Sequence, residues 1–459
     1  MSRRAWIAAA VLALPAVVLL GWKACQAIGR EPLPRTLDYA NRGDRAEVDR
    51  GAYRSAAFCG GCHSAIYEQW QRSYLSQSWT LAEGQTKLHG LTLRLRGMDP
   101  NERRFCLECH APLALAWPED IDVADPLAQE GVTCVVCHTA QTVEVDEAPA
   151  RMANDPHGPM LGPFDDAVSP WHATGTAEHM LRWDNQLCGS CHSSKWPQNG
   201  VPIDWTWQEW HEDAEPDDEN CVECHMPAYT GKAADLEGVP TRSLRDHSFP
   251  GGHDADFVAE AMTLALAGIE RDADGLRLLV DVQNLAGHDL PSGNPPAPEY
   301  RLRACAGPCP AKGGALDSRT YKTSMLMANG SSTLDVTICD AEGPSTALLP
   351  REIRRETLEL PAGTTGEIEL RIDFSYWRPF EPGHRWPGYI STIHQHLGNP
   401  EVSMGRILTT LARPQTWALL VESVGVSKGD PLPVDALRVN LETGEVTAWW
   451  SEGDFELAE

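Results

Sequence analysis

One short pattern recurs five times between residues 59 and 225, and it constrains the fold more than any other feature of the chain. Each copy has two cysteines separated by two residues, and a histidine directly follows the second cysteine. The copies are Cys59-Gly-Gly-Cys62-His63, Cys106-Leu-Glu-Cys109-His110, Cys134-Val-Val-Cys137-His138, Cys188-Gly-Ser-Cys191-His192 and Cys221-Val-Glu-Cys224-His225. Two thiols one helical turn apart can bond to the two vinyl groups of one porphyrin, and the adjacent histidine then lies under the iron as an axial ligand.

Two other chemistries use part of this pattern. Pairs of cysteines with this spacing bind zinc, and thioredoxin-like proteins use them for thiol–disulfide exchange. Neither chemistry requires a histidine directly after the second cysteine, yet a histidine follows in all five copies. We therefore predict five covalently bound haem c groups, attached through the ten motif cysteines, with the five motif histidines as iron ligands.

Each iron also has a sixth position, and a second histidine is the simplest ligand for it. Several histidines outside the motifs lie in segments rich in Gly, Pro or Trp, where the backbone can approach a flat cofactor closely. The candidate distal ligands are His157, His172, His179, His247, His253 and His288. Six candidates exceed five positions, so at least one is not a ligand. His89 and His211 lie in more polar surroundings and are weaker candidates.

The motifs and their surroundings resemble the cytochrome c554 type of multihaem cytochrome, which is related to the hydroxylamine oxidoreductase and pentahaem nitrite reductase group. The resembling segments are Cys59 to Ser73, Glu130 to His138, His157 to Pro163, Leu187 to His192, Asn199 to Pro202 with Glu209-Trp210, Cys224 to Pro227, and His247 to His253. The resemblance implies electron transfer outside the cytoplasm, through haems whose distal histidines come from elsewhere in the chain.

One position departs from that resemblance. Many such cytochromes have Trp-x-x-Ser-x-His after the first motif, but here Trp70 and Ser73 are followed by Leu75 in place of the histidine. Either another residue binds that iron or one haem is five-coordinate, and a five-coordinate haem can bind small ligands. Electron transfer through mainly bis-His haems is therefore the main hypothesis. The alternative is a haem oxidoreductase acting on a small nitrogen or sulfur species.

The N-terminal region predicts a location outside the cytoplasm. A short basic start precedes an almost wholly apolar stretch from Ala5 to Trp22. This pattern is typical of a secretory signal or a single membrane anchor. We assign residues 1–30 to that segment, 31–54 to a linker and 55–255 to a pentahaem cytochrome c domain. The periplasm is the expected compartment, and residues 5–22 would associate with the inner membrane if they are retained.

The chain changes character after residue 255. Apolar and polar residues alternate over Gly275 to Asn284 and over Glu367 to Asp373, which is typical of half-buried strands. Further strands are predicted at 298–304, 333–338, 355–360, 416–422, 436–442 and 445–450. We predict an α+β protein, with a mostly helical and loop-rich multihaem domain followed by a β-sandwich-like domain over 256–459. Because His288 follows the first of these strands, we expect the β-domain to provide it to a haem.

The remaining cysteines bear on the compartment of the protein, and its net charge bears on its partners. Cys305, Cys309 and Cys339 lie outside the motifs, and an oxidising compartment favours a disulfide within this trio, whose pairing the sequence leaves open. The formal net charge is −27 at pH 7. Such a chain repels nucleic acid and attracts basic partners through long-range electrostatics. Redox proteins, with basic cytochromes as candidates, are the expected partners.

Overall fold

The computed structural model describes two parts of the chain, residues 53–378 and 427–448. Within these parts it leaves out residues 77, 79–99, 117–125, 145–150, 182–183, 197–198, 213, 215–218, 253, 272–274, 294–297, 311–312, 334–338 and 429–431. The described helices are short: α1 Ala56–Gly60, α2 Ser64–Arg72, α3 Pro100–His110, α4 Pro126–Gln129, α5 Cys134–His138, α6 Glu178–Leu181, α7 Gln186–Gly189, α8 Thr206–His211, α9 Cys221–His225 and α10 Ala255–Ala259, with a 3₁₀ turn at Pro112–Ala116.

Each of the five motifs overlaps a short helix. The local sequence explains why these helices form. Ser55 caps α1 by accepting a hydrogen bond from the backbone N–H of Phe58. Asn220 and Glu223 form a capping box at the start of α9, which satisfies backbone donors that a helix leaves unpaired at its N-terminus. The two cysteines of each motif are three positions apart, which is close to one helical turn and places both on the same side of the helix. The motif geometry is therefore built locally.

Glycines inside two motifs allow close packing of aromatic rings. A Cβ at Gly60 would lie 2.6 Å from the ring of Tyr67, and a Cβ at Gly189 would lie 2.8 Å from the ring of Trp207. Both distances are shorter than side chains tolerate, so these rings can cover the first and fourth motifs only because the position after the first cysteine is glycine. Trp207 is held in place by a hydrogen bond from its ring nitrogen to the carbonyl of Asp184.

The motif region also contains four two-stranded sheets that the sequence analysis did not predict. They pair β1 Ala140–Glu144 with β2 Arg151–Asn154, β3 Met160–Gly162 with β4 Thr174–Thr176, β5 Ser194–Lys195 with β6 Pro202–Asp204, and β7 Ala228–Lys232 with β8 Thr241–Arg245. The β3–β4 pair is parallel and the others are antiparallel. These strands are too short for a period-two pattern to stand out in the sequence. They connect the motif helices and position the loops between them.

Two larger sheets follow in the chain. The first has the order β16-β10-β9, and the second has the order β12-β11-β17-β19-β20, with β18 also paired to β17. Their strands are β9 Met262–Arg271, β10 Leu276–Asn284, β11 Pro298–Ala306, β12 Ala315–Tyr321, β16 Ile353–Leu360, β17 Glu367–Arg378, β18 Ser427–Lys428, β19 Leu432–Asn440 and β20 Val446–Ala448. A small sheet joins β13 Met325–Leu326 to β14 Ser332–Thr333 and β15 Ala341–Glu342.

The two larger sheets bury one shared core. Leu278 and Val280 of β10 belong to the same buried cluster as Leu302 of β11 and Ile368 and Ile372 of β17. In β10 the buried and half-buried residues alternate along the whole strand, as expected when one face of a strand packs against another sheet. Helices and strands are thus mixed, in agreement with the predicted α+β class. The domain boundaries stay a prediction.

The predicted strands can be compared one by one. The strand predicted over Gly275 to Asn284 coincides with β10 except for Gly275, and those at 298–304, 355–360 and 367–373 lie within β11, β16 and β17. Those at 436–442 and 445–450 overlap β19 and β20. The strand predicted at 416–422 lies outside the described residues, and most of 333–338 does too. The sequence missed β9 and β12. In β9 the run Leu-Ala-Leu-Ala-Gly offers little contrast between its two faces.

Cys305 and Cys309 form a disulfide with a Cα–Cα distance of 5.3 Å. Cys339 is buried as a thiol. The predicted disulfide within the trio is thereby confirmed, and its pairing is now assigned. Among the described helices, none is long and apolar enough to cross a membrane. The predicted signal or anchor in residues 1–30 and the linker up to residue 52 lie outside the described residues.

Candidate functional site

All five motifs open into one cavity of about 2950 Å³, which is lined by every motif cysteine and every motif histidine. Shared among five motifs, this volume is about 590 Å³ each, inside the roughly 300–1000 Å³ typical of cofactor sites. Five separate pockets would have isolated the groups from one another. A continuous cavity instead allows neighbouring cofactors to lie close together.

The five motif histidines share one feature of their hydrogen bonding, which is that Nδ1 lies against an oxygen. The partners of His63, His110, His138 and His225 are backbone carbonyls, and the partner of His192 is a carboxylate. The contacts are to Ala233 O at 2.6 Å, Ser78 O at 3.2 Å, Leu161 O at 2.5 Å, Pro250 O at 2.7 Å and Asp204 Oδ2 at 2.9 Å, respectively. A proton on Nδ1 leaves Nε2 available for a metal, and this arrangement is usual for histidine ligands.

Three motif histidines face a second histidine across the cavity. The ring centroids are 6.5 Å apart for His63 and His172. They are 6.4 Å apart for His138 and His247, and 6.5 Å for His225 and His288. Two imidazoles on opposite sides of one iron would have centroids about 6.4 Å apart, from two Fe–N bonds of about 2 Å and about 1.2 Å from each nitrogen to its ring centre. The residues present therefore fit a haem at these three positions.

Burial favours the neutral form of four of these rings, which is the form that binds a metal. It lowers the pKa of His138 and of His225. Burial also lowers the pKa of His247 to about 4 and that of His288 to about 4. His192 differs from these four, because the charge of Asp204 raises its pKa to about 9. A carboxylate on Nδ1 makes an imidazole a stronger electron donor, so the fourth motif differs from the others.

The remaining candidate histidines have different surroundings. His157 and His179 both line the cavity, and Nε2 of His179 is buried without a hydrogen-bond partner. That is the atom an iron would bind. His211 is stacked on the Trp207 ring at a centroid distance of 4.3 Å, and it is not among the residues that line the cavity. His89 and His253 lie outside the described residues.

Loops and strands bring the facing histidines into position. His247 follows β8, and its Nδ1 is 2.8 Å from the carbonyl of Arg245 at the end of that strand. His288 follows β10, and its Nδ1 is 2.8 Å from the carbonyl of Asp289. His288 therefore lies opposite the motif histidine His225, and its role as a haem ligand stays a prediction. Which histidine binds which iron stays a prediction.

Contacts between thiols indicate which motifs are neighbours. The thiols of Cys59 and Cys134 are close enough to shift each other's pKa. The thiols of Cys109 and Cys191 interact in the same way, so the fourth motif lies beside the second. The thiols of Cys188 and Cys221 do so too, so the fifth motif also lies beside the fourth. The first–third and second–fourth pairs are long-range contacts without a sequence signal.

The sequence reasoning missed several residues of the site. Asp204 was not a candidate, because a lone aspartate near the end of a short strand carries no signal until its distance from His192 is known. The carbonyls of Ala233, Leu161 and Pro250 could not be predicted either, because every residue has a carbonyl. Leu75, which replaces the expected histidine, lines the cavity and packs beside an apolar cluster that contains Val132.

Comparisons with known proteins agree with this geometry. Residues 58–139 match the family described as cytochrome c554 and c-prime. The whole fold is similar to the crystal structure of a penta-haem cytochrome c552 from Thermochromatium tepidum, with a TM-score of 0.57 and 20% sequence identity over 86% of this chain and 99% of that chain. A search of curated proteins finds no match.

The sequence motifs, the cavity and these two likenesses support a multihaem c-type cytochrome with covalently bound haem c. Its first three motifs lie in the stretch similar to cytochrome c554, and its fold is like that of the penta-haem cytochrome c552.

Proposed function

We propose that this chain is an extracytoplasmic electron-transfer protein that carries five haem c groups, most of them with two histidine ligands. The observation that carries the proposal is the set of three facing histidine pairs at 6.4 to 6.5 Å. A haem with both axial positions filled by histidine exchanges electrons but leaves no position for a substrate. The number of groups rests on the five motifs.

In this proposal the protein's own residues perform three tasks. The motif cysteines would hold each group, and the histidines would bind each iron from both sides, with Nδ1 fixed by the oxygens described above. When bound, haem supplies one-electron redox chemistry. The neighbouring motifs define a route in which the first motif adjoins the third, and the fourth adjoins both the second and the fifth. The third motif also lies near the fourth, because after burial the charge of Cys191 contributes to the raised pKa of the Cys137 thiol.

Two features support the location and the partner. The Cys305–Cys309 disulfide is typical of proteins outside the cytoplasm. The net charge of −27 favours a basic redox partner, because opposite charges accelerate encounter and this effect weakens with salt. Residues 5–22 would tether the protein to the inner membrane if they are retained after export.

The test is electron transfer from the reduced holoprotein to a lysine-rich small cytochrome, followed by stopped-flow absorbance. We expect fast transfer whose rate constant falls steeply as ionic strength rises, and much slower transfer to an acidic cytochrome of similar potential. Absence of transfer to either cytochrome would contradict the electron-transfer function. Equal rates with both would contradict the proposed partner.

Leu75 keeps a haem oxidoreductase as the second candidate. This side chain lines the cavity at the position where similar cytochromes have a histidine. If an iron there has an open position, nitrite, hydroxylamine or cyanide will change the optical spectrum of the oxidised protein. Turnover of one of these nitrogen species, or of sulfite, would then replace electron transfer as the main function.

A further inference from the structure

A chain of hydrogen-bonding side chains leads from the fourth motif to a partly buried carboxyl group. Asp204 Oδ2 lies 2.9 Å from His192 Nδ1, and Asp204 Oδ1 lies 2.9 Å from Thr206 Oγ1. Thr206 Oγ1 is 2.7 Å from Ser292 Oγ, which is 2.5 Å from Glu209 Oε2. Three oxygen–oxygen contacts therefore separate the two carboxyl groups.

Counting the available hydrogens gives the protonation state of this chain. The hydroxyls of Thr206 and Ser292 carry one hydrogen each, so two hydrogens must serve three oxygen–oxygen contacts if both carboxyl groups are ionised. A third hydrogen has to reside on Asp204 or on Glu209. With a proton on Glu209, its O–H donates to Ser292, Ser292 donates to Thr206, and Thr206 donates to Asp204. Each contact then contains one hydrogen.

Asp204 is the less suitable site for that hydrogen. Its Oδ2 faces His192 Nδ1, and its Oδ1 accepts hydrogen bonds from both the hydroxyl and the backbone N–H of Thr206, so both oxygens already face hydrogen-bond donors. Glu209 is the more suitable site, because burial raises its pKa to about 8. The charged groups that face Glu209 are Asp204 of β6 and Asp289 of the loop after β10, both acidic.

Glu209 also lies close to the fifth motif. Its carboxyl group accepts a hydrogen bond from the backbone N–H of Asp289, and the carbonyl of the same residue lies against His288 Nδ1. His288 in turn faces His225. One carboxyl group is thus connected to the proximal histidine of the fourth motif and to the histidine that faces the fifth.

We propose that Glu209 is a proton-binding site whose occupancy is linked to the electron held at the fourth motif, so that reduction there is accompanied by proton uptake. One electron arrives from a redox partner, and one proton from water converts the Glu209 carboxylate to the carboxylic acid. Oxidation reverses both transfers. The physical cause is that reduction removes one positive charge nearby, and a carboxylate then binds its proton more tightly.

This inference rests on the proposed electron-transfer function and goes beyond it. If the haems only pass electrons, their reduction potentials do not depend on the protonation state of Glu209. A coupled proton makes the potential of one haem fall as pH rises through the pKa of Glu209, by up to about 59 mV per pH unit for complete coupling. Electron flow through the fourth motif then responds to pH.

The first experiment is a potentiometric titration of the holoprotein between pH 6 and pH 9, in the wild type, in Glu209→Gln and in Glu342→Gln. Glutamine is neutral at every pH and can donate to Ser292 in place of the carboxylic acid. We expect one pH-dependent haem potential in the wild type, and a flat profile in E209Q at the wild-type low-pH value. Glu342 is exposed on β15, so E342Q removes one charge remote from the chain and should behave as the wild type does.

A second measurement needs no variant. The reduced-minus-oxidised infrared spectrum of the wild type near pH 8 should contain a carboxylic acid band that forms on reduction and shifts in deuterated water. Absence of that band, or pH dependence that persists in E209Q, would overturn the inference. In either case a holoprotein that is still reduced and reoxidised reversibly leaves the electron-transfer function standing. Failure of reversible redox cycling itself would contradict that function instead.

Discussion

The substitution Asp204→Asn should raise the reduction potential of one haem, because the Asp204 charge stabilises the oxidised state. Its Oδ2 is 2.9 Å from His192 Nδ1, and adding about 2 Å across the imidazole and about 2 Å for an Fe–N bond gives roughly 7 Å to the iron. At an effective dielectric constant of about 20, one charge at that distance contributes about 2 kcal/mol. This corresponds to about 100 mV for a one-electron couple.

The assay is a potentiometric titration of the holoprotein with an optical readout at constant pH. Asparagine retains an oxygen that accepts the hydrogen bond from Nδ1, so the substitution changes charge more than geometry. Asp281→Asn is the matched control, because Asp281 of β10 is ionised beside Arg355 of β16, in the sheet β16-β10-β9. If no haem potential rises in D204N, or if D281N produces the same shift, the charge of Asp204 does not set the potential of that haem.

Three further outcomes are expected. His247→Ala should convert one low-spin haem to a high-spin or water-bound form in the optical and EPR spectra, because His138 loses the ring that faces it at 6.4 Å. Replacing both Cys305 and Cys309 by serine should lower the free energy of unfolding by about 2 kcal/mol in chemical denaturation, since the disulfide closes a short loop with a sequence separation of 4. Asp373→Asn should cost about 3–5 kcal/mol in the same assay, because the pair with Arg303 is buried.

Controls separate these effects from general damage. His211→Ala removes a histidine stacked on Trp207 and should leave every haem low-spin, so an identical spectral change in H211A would contradict the role of His247. Unchanged denaturation midpoints in the serine double variant would show that the disulfide does not restrict the unfolded chain. If Asp373→Asn and Arg301→Gln, whose side chain is 47% exposed, lower the free energy of unfolding equally, burial of the charge is not the cause.

Residues whose chemistry is local could be predicted from the sequence. The spacing of Cys134, Cys137 and His138 already defines a haem attachment site, and the alternation along β10 already defines a buried strand face. His247 and His288 were also recognised as candidates, because glycine and proline surround them. Their opposite rings, however, come from segments more than 60 residues away for His288 and more than 100 for His247, and only the fold brings these together.

Long-range and backbone-mediated features could not be predicted. Asp204 becomes part of the site because β5 and β6 pair and bring its carboxylate to His192. Glu209 was noted only as part of a resembling segment, and its significance depends on Ser292, which lies 83 positions later in the chain. The gap lengths between motifs likewise gave no indication that Cys59 meets Cys134, because loop length does not determine where a loop returns.

The measurement that tests the central claim most directly is low-temperature EPR of the oxidised, intact holoprotein, with haem content determined by mass spectrometry on the same sample. We expect five attached haems, of which at least three give low-spin signals typical of two histidine ligands, from the pairs His63–His172, His138–His247 and His225–His288. Fewer than five attached haems would contradict the motif count. Fewer than three low-spin haems would contradict the ligand pairs on which the electron-transfer function depends.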